Sequence, residues 1–352
     1  MTNPASSQRE SHAICFNRNE LAGAFGDIGT SLPLIVGVAL AAKLEGASML
    51  ILFGLMQIMT GLIYRMPMPV QPLKAMAALV IAQKASGAIL FGAGLAIGVV
   101  MLVLSLSGLV DRLARLVPKC VIRGIQFGLG LQLATLAVRD YVQAEGVIGY
   151  ALATAAFALT VLLLGNKKYP AALFVIGLGL VFTLAFKWEW RTVAQQFEFG
   201  LPVFHLPQWS DIVSGFFLLA LPQIPLSLGN SVLATRQIAE DLFPERKLTV
   251  RKISFTYSLM NLVNPFFGGI PTCHGSGGMA GHYAFGGRTG GSVMIYGAFY
   301  LLLGLFFGKG FDTIIGVFPL PILGVVLLFE ALALMLLLRD LISSSWELPI
   351  AI

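Results

Sequence analysis

The chain has 352 residues, of which 57% are hydrophobic and only 11% charged, with a mean hydropathy of +0.84. That balance excludes a soluble globular domain and reads as an integral membrane protein. The net charge of +6 needs no nucleic-acid partner, because the basic residues collect in a few loops between apolar runs.

Residues 1–20, MTNPASSQRESHAICFNRNE, are polar, lack a signal-peptide core and read as a cytoplasmic tail. Uncharged runs then occupy 46–64, 85–110, 124–138, 146–166, 169–186, 212–235, 289–308 and 313–329. Most reach the roughly 20 residues a helix needs to cross a bilayer. Shorter or punctuated apolar pieces at 21–42, 72–83, 253–266 and 275–285 bring the expectation to 12–14 helical elements. The runs are too long and too uniformly apolar for barrel strands. An all-α polytopic membrane protein follows.

With the N-terminus cytoplasmic and the spans alternating, the loops at 111–123, 165–170 and 236–252 all fall inside, and they carry 11 of the 23 Lys and Arg residues. Outer loops hold fewer: Lys43, Arg139, Lys187 and Arg191. The positive-inside rule expects this asymmetry, and it predicts a multi-pass cell-membrane protein.

The longest polar interruption on the outer side, 187–210, separates a first membrane repeat at 21–186 from a second at 211–352. Each half contains a proline-marked, small-residue segment that cannot form one full span. In the first it is PMPVQPLKAMAALVIAQ, from Pro67; in the second, GGIPTCHGSGGMAGHYAF, from Gly268. Matched interrupted segments in two halves are the sequence pointer to a transporter's site. Seven elements per half would make the halves inverted, a 7+7-like arrangement whose half-helices meet at mid-membrane. A fourteenth span, if the fold includes one, is expected to be missing or cut short before Ile352.

Four polar groups lie in apolar surroundings. The first is Asp27, Thr30 and Ser31 in GAFGDIGTSLPLIVG. An intramembrane carboxylate is costly and faces protein or water, so Asp27 reads either as a proton-coupling or site-shaping group or as an interfacial aspartate at a helix start. The second is Gln71 and Lys74 in PVQPLKA, where Pro72 suits a first helical turn. Gln71 can donate to a ligand. Lys74 sits at the positive end of a helix dipole, where an anion would compensate it; the alternative is a lysine snorkelling to the surface.

The third group is Gln223, Ser227, Asn230 and Ser231, spaced i, i+4, i+7, i+8 on one helical face. Such a stripe either faces a cavity or bonds a neighbouring helix. The fourth is Thr272, His274, Gly275 and Ser276, at the start of the second half-helix. Backbone amides, hydroxyls and an imidazole are donors suited to an oxyanion, and glycine lets a ligand approach the backbone closely. His282 and Arg288 read as lying toward the cytoplasmic end.

Three scattered cysteines give no disulfide framework, and Cys273-His274 with His282 has no further ligands for a metal. No nucleotide motif or nucleophile–base pair is present, so neither an enzyme nor a cofactor is expected.

These residues resemble the molybdate transporter family, relatives of the SulP-type sulfate permeases. The strings that carry the likeness are LAGAFGDIGTSLPL, MPVQPLKAMAA, PQIPLSLGNSVLATRQIAEDLFPER and NPFFGGIPTCHGSGGMAGHYAFGGRTGG, in that order across roughly 20 to 340. The resemblance implies an inverted-repeat fold with core and gate domains. It implies uptake of a tetrahedral dianion, molybdate first and sulfate second, with tungstate of the same shape. Movement of core against gate would expose the site alternately, and a buried Asp27, which opposes an anion unless protonated, makes proton symport the expectation. By the same likeness the site lies between the half-helices and maps onto Asp27, Gln71, Gln223, Asn230 and the 272–278 segment. Sulfate transport on the same fold and an anion channel remain alternatives. A homodimer is left open.

Overall fold

The computed structural model describes residues 13–110, 112–113, 118–163, 171–187, 197–308, 310–311 and 318–341. The first part of the tail, Arg115, Lys167, Lys168, Arg191 and the stretch from 342 onward lie outside the described residues, as does the side chain of Thr30.

The first membrane segment is broken where glycines and Asp27 interrupt it. Helix α1 (Arg18–Ala24) is capped by Asn17, whose side chain accepts from the amides of Asn19 and Glu20, and α2 (Ile28–Ala42) starts after Asp27. Helix α3 (Gly46–Tyr64) fills the uncharged run between Glu45 and Arg65. The chain then enters a three-residue strand, β1 (Val70–Pro72), and the short helix α4 (Lys74–Gln83). Helices α5 (Gly87–Ser107), α6 (Lys119–Leu136, continued as a π turn through Tyr141), α7 (Gly146–Leu163) and α8 (Ala171–Phe182) complete the first half.

The second half opens with one long helix, α9 (Trp209–Leu242), interrupted by wide π turns at Phe216–Ala220 and Ser227–Ala234. Helix α10 (Val250–Val263) leads into strand β2 (Thr272–His274) and the short helix α11 (Ser276–Ala284). Helices α12 (Gly291–Phe307) and α13 (Leu320–Leu336) follow. Among the described residues, α3, α5, α6 with its π extension, α7, α9 and α13 are long and apolar enough to cross a membrane. The expected interrupted segments are therefore real. The all-helical expectation needs one amendment: the breaks are filled by two short strands that pair antiparallel, Val70 with His274, Gln71 with Cys273 and Pro72 with Thr272.

Backbone that leaves the helix inside a bilayer must find its hydrogen bonds within the protein. Here side-chain amides supply what the two-stranded ladder cannot. Gln57 on α3 donates from Nε2 to the Val70 carbonyl at 2.8 Å and accepts from the Val70 amide at 3.0 Å. Asn261 on α10 does the same for Thr272, at 2.6 and 2.9 Å, and Asn264 donates to the Ile270 carbonyl at 2.8 Å. Each strand is thus braced by an amide from the helix before it, as an inverted repeat requires.

Packing divides the helices into two groups. Helices α1–α5 and α9–α12 form the core, drawn together in places to backbone contact: a Cβ on Gly54 of α3 would lie 2.5 Å from the Gly297 carbonyl of α12. Small residues permit such approach between membrane helices. Helices α6, α7, α8 and α13 form the gate, with their own apolar cluster of Ala153, Ala156, Val175, Ile322 and Val325.

Candidate functional site

Both half-helices begin at the paired strands. Because β1 and β2 run antiparallel, α4 and α11 leave the ladder in opposite directions, and their first residues, Lys74 and Ser276, lie close to one small pocket. The core lines it with Gln71 and Lys74, with Gln223, Leu226, Asn230 and Ser231 of α9, and with Cys273, His274 and Gly275. The gate closes it with Gln126 and Leu129 of α6 and Leu334 of α13. The space open to a water-sized body is only about 20 Å³, roughly one water.

The first-turn amides of a helix have no intrahelical partner. In α4 two of them are met from across the sequence: Gln223 Oε1 accepts from Ala75 N at 2.9 Å and from Met76 N at 3.2 Å. The local cap position, Leu73, contributes no side-chain bond. Gln223 is held in turn by Ser227, whose hydroxyl accepts from Nε2 at 3.1 Å and lies 2.8 Å from the Tyr257 hydroxyl.

At the start of α11, Gly275 abuts Gln71. A Cβ there would overlap the Gln71 carboxamide and stand 2.9 Å from its Cγ. Gln71 is tethered by Asp27, whose Oδ1 accepts from Nε2 at 2.5 Å while Oδ2 accepts from the Ser31 hydroxyl at 2.6 Å. Asp27 is buried, so its carboxylate faces protein, and it stands at the entry to α2, as the helix-start reading expected. It sits at the break between α1 and α2, one hydrogen bond from the pocket-lining Gln71.

Of the expected residues, Gln71, Lys74, Gln223, Asn230, Ser231, His274 and Gly275 line the pocket, and Asp27 and Ser31 brace it from behind. Thr272, Ser227 and Ser276 are not among the lining residues. Thr272 is clamped by Asn261, with its hydroxyl 3.3 Å from Asn264 Nδ2. Ser227 stays beside Gln223 but does not reach the pocket: its hydroxyl is taken by Gln223 Nε2 and the Tyr257 hydroxyl. The His274 ring places Nε2 2.7 Å from the Thr256 hydroxyl and packs edge-on against Tyr64, with centroids 5.4 Å apart. His282, in the last turn of α11, is fully buried and edge-on to Tyr296 at 6.0 Å. Arg288 is exposed and lies 3.6 Å over the Tyr283 ring. Sequence reasoning missed Gln126, Leu129 and Leu334. Gln126, a buried amide within an apolar run, was the one signal available. Among the described residues, no group of three or more His, Cys, Asp and Glu side chains could hold a metal ion.

A family model described as "Molybdate transporter of MFS superfamily" matches residues 19–133 and 215–334, about two thirds of the chain. The chain belongs to the molybdate transporter family. Molybdate transporter 2 of Arabidopsis thaliana is 34% identical to it over 92% of this chain and 79% of that protein. Molybdate transporter 1 of Chlamydomonas reinhardtii is 27% identical over 91% and 84%. The fold of this family member is similar to the transmembrane domain of the cyanobacterial bicarbonate transporter BicA, with a TM-score of 0.70 at 16% identity, covering 95% of this chain and 93% of that one. It is also similar to SLC26A9, with a TM-score of 0.69 at 13% identity, over 99% of this chain and 63% of that one. The SulP-like inverted-repeat fold expected from the sequence is therefore correct.

Proposed function

We propose that the chain is a secondary active transporter in the cell membrane that imports a tetrahedral oxyanion, molybdate first, by alternating access with proton coupling. The observation that carries this reading is the convergence of two half-helix starts, α4 and α11, on one pocket at the β1–β2 ladder. A dianion leaving water needs directed donors, and helix N-termini offer amides and partial positive charge without a cluster of buried cations. Lys74 adds one full charge, Gln71 and Asn230 add side-chain amides, and Gln223 lines the same space.

The pocket's size supports a moving gate. A space of about 20 Å³ is too small for a tetrahedral oxyanion. Its outer wall comes from Gln126, Leu129 and Leu334, all on gate helices, while every other lining residue belongs to the core. Displacing core against gate would widen the pocket without breaking the ladder. Asp27 supports the coupling: a carboxylate one side chain away repels a dianion, and a proton removes that repulsion. The names of the matched relatives favour molybdate, with sulfate the second candidate.

The test is uptake of radiolabelled molybdate by proteoliposomes holding the purified chain. Saturable uptake and counterflow, stimulated by an inward proton gradient and competed weakly by sulfate, is the expected result. Uptake without exchange acceleration would mean a channel; indifference to the gradient and to uncoupler would remove the proton coupling.

A further inference from the structure

The Gln223 carbonyl oxygen occupies a particular seat. It accepts from two consecutive first-turn amides of α4, at 2.9 and 3.2 Å, from a side chain nearly 150 positions away in sequence. A single acceptor bridging adjacent amides at a helix start is how an oxyanion oxygen is held. Beside it lie Lys74 and Asn230, in a space with room for one water. Gln223 itself is buried, and its other polar atom is engaged by Ser227 rather than by the pocket.

We infer that Gln223 is an internal stand-in for the substrate: its neutral amide oxygen fills the anion's seat on α4 when the pocket is empty, and the arriving oxyanion displaces it. This rests on the pocket being the anion site, and it changes the role of Gln223 from a fixed donor to a competitor. The exchange keeps the backbone satisfied in both states. Buried N–H groups left without a partner are costly. The neutral oxygen is the right kind of stand-in because it is strong enough to cap the amides. It also yields to an anion, whose charge-assisted bonds to N–H are shorter and stronger. A carboxylate in the same position would not yield.

The arrangement makes opposite predictions for two substitutions of similar position. Gln223→Glu places a charged oxygen on the Ala75 and Met76 amides and beside Lys74. Gln223→Ala empties the seat. The experiment is equilibrium binding of radiolabelled molybdate to the full chain in detergent, with thermal melting recorded with and without molybdate. For Gln223→Glu, molybdate affinity should fall at least about tenfold, while the anion-free protein melts higher than the anion-free original and gains no further shift from molybdate. For Gln223→Ala, the anion-free protein should melt lower, molybdate should bind at least as tightly as to the original chain, and the ligand-induced shift should grow.

A purely structural role for Gln223 would lower melting in both variants and leave the molybdate shift unenlarged, which overturns the inference. Loss of binding in Gln223→Ala as severe as in Asn230→Ala would make Gln223 an ordinary ligand and also overturn it, while leaving the site in place. If Gln223→Ala fails to fold, Gln223→Glu decides alone: unchanged affinity refutes the stand-in. A folded original chain that binds neither molybdate nor sulfate removes the site, and the stand-in with it.

Discussion

Gly275 offers a sharp test of how the pocket is built. Its backbone has φ −114° and ψ 116°, a conformation open to any L-residue, so Gly275→Ala adds no backbone strain. The added Cβ would instead overlap the Gln71 carboxamide and crowd its Cγ at 2.9 Å. A long, flexible side chain can swing away, so the fold should survive. What is lost is the placement of Gln71, including its charge-assisted bond from Nε2 to Asp27 at 2.5 Å. Bonds of that kind contribute about 1.5–3 kcal/mol. A comparable loss in anion binding corresponds to a Kd raised roughly tenfold to a hundredfold. Molybdate binding to Gly275→Ala, Gln71→Ala and the double variant forms a thermodynamic cycle. With the carboxamide already gone, the Cβ has nothing to displace, so the double variant should bind no worse than Gln71→Ala alone. Full affinity in Gly275→Ala, or simple additivity of the two losses, would refute this reasoning.

Three further outcomes are expected. Asn261→Leu and Gln57→Leu each leave a buried amide and carbonyl of a strand without partners; at about 1–3 kcal/mol per group, both should show strongly reduced melting and yield, whereas normal melting would mean the ladder does not depend on the braces. Glu20, buried, accepts from the amides of Arg288, Thr289 and Ser292 at 2.9–3.0 Å, so it caps the start of α12 from α1. Glu20→Ala should destabilise by about 2 kcal/mol yet leave the apparent KM for molybdate unchanged, as measured by melting and uptake; a shifted KM would tie α1 to the site. Asp27→Asn retains an acceptor for Gln71 but removes the proton-binding carboxylate. Uptake should persist and lose its response to an imposed pH gradient; a preserved response would exclude Asp27 from coupling.

Much of this arrangement was legible in the chain because membrane helices expose their interruptions. Prolines at 67, 69 and 72, and Gly268-Gly269 with Pro271, mark interrupted spans, and the structure breaks both there. Gln71, Gln223 and Asn230 were visible because amides are rare in apolar runs. What stayed hidden depends on pairing across the sequence. Gln57 and Asn261 look like ordinary polar residues until the strands they brace are seen. Gln223 and Ser227 do share a face and bond each other, but nothing in the sequence shows that Ser227 is spent on Gln223 and Tyr257 rather than on the pocket. The gate wall of Leu129 and Leu334 has no signature at all, since leucines on a span look alike whether they face lipid or a pocket.

The glycine contact between α3 and α12 has a mechanical corollary. A Cβ at either Gly54 or Gly297 would meet the opposite carbonyl at 2.5–2.6 Å. The spacing of these two helices is therefore written in two hydrogen atoms, and one methyl group at either place would wedge them apart.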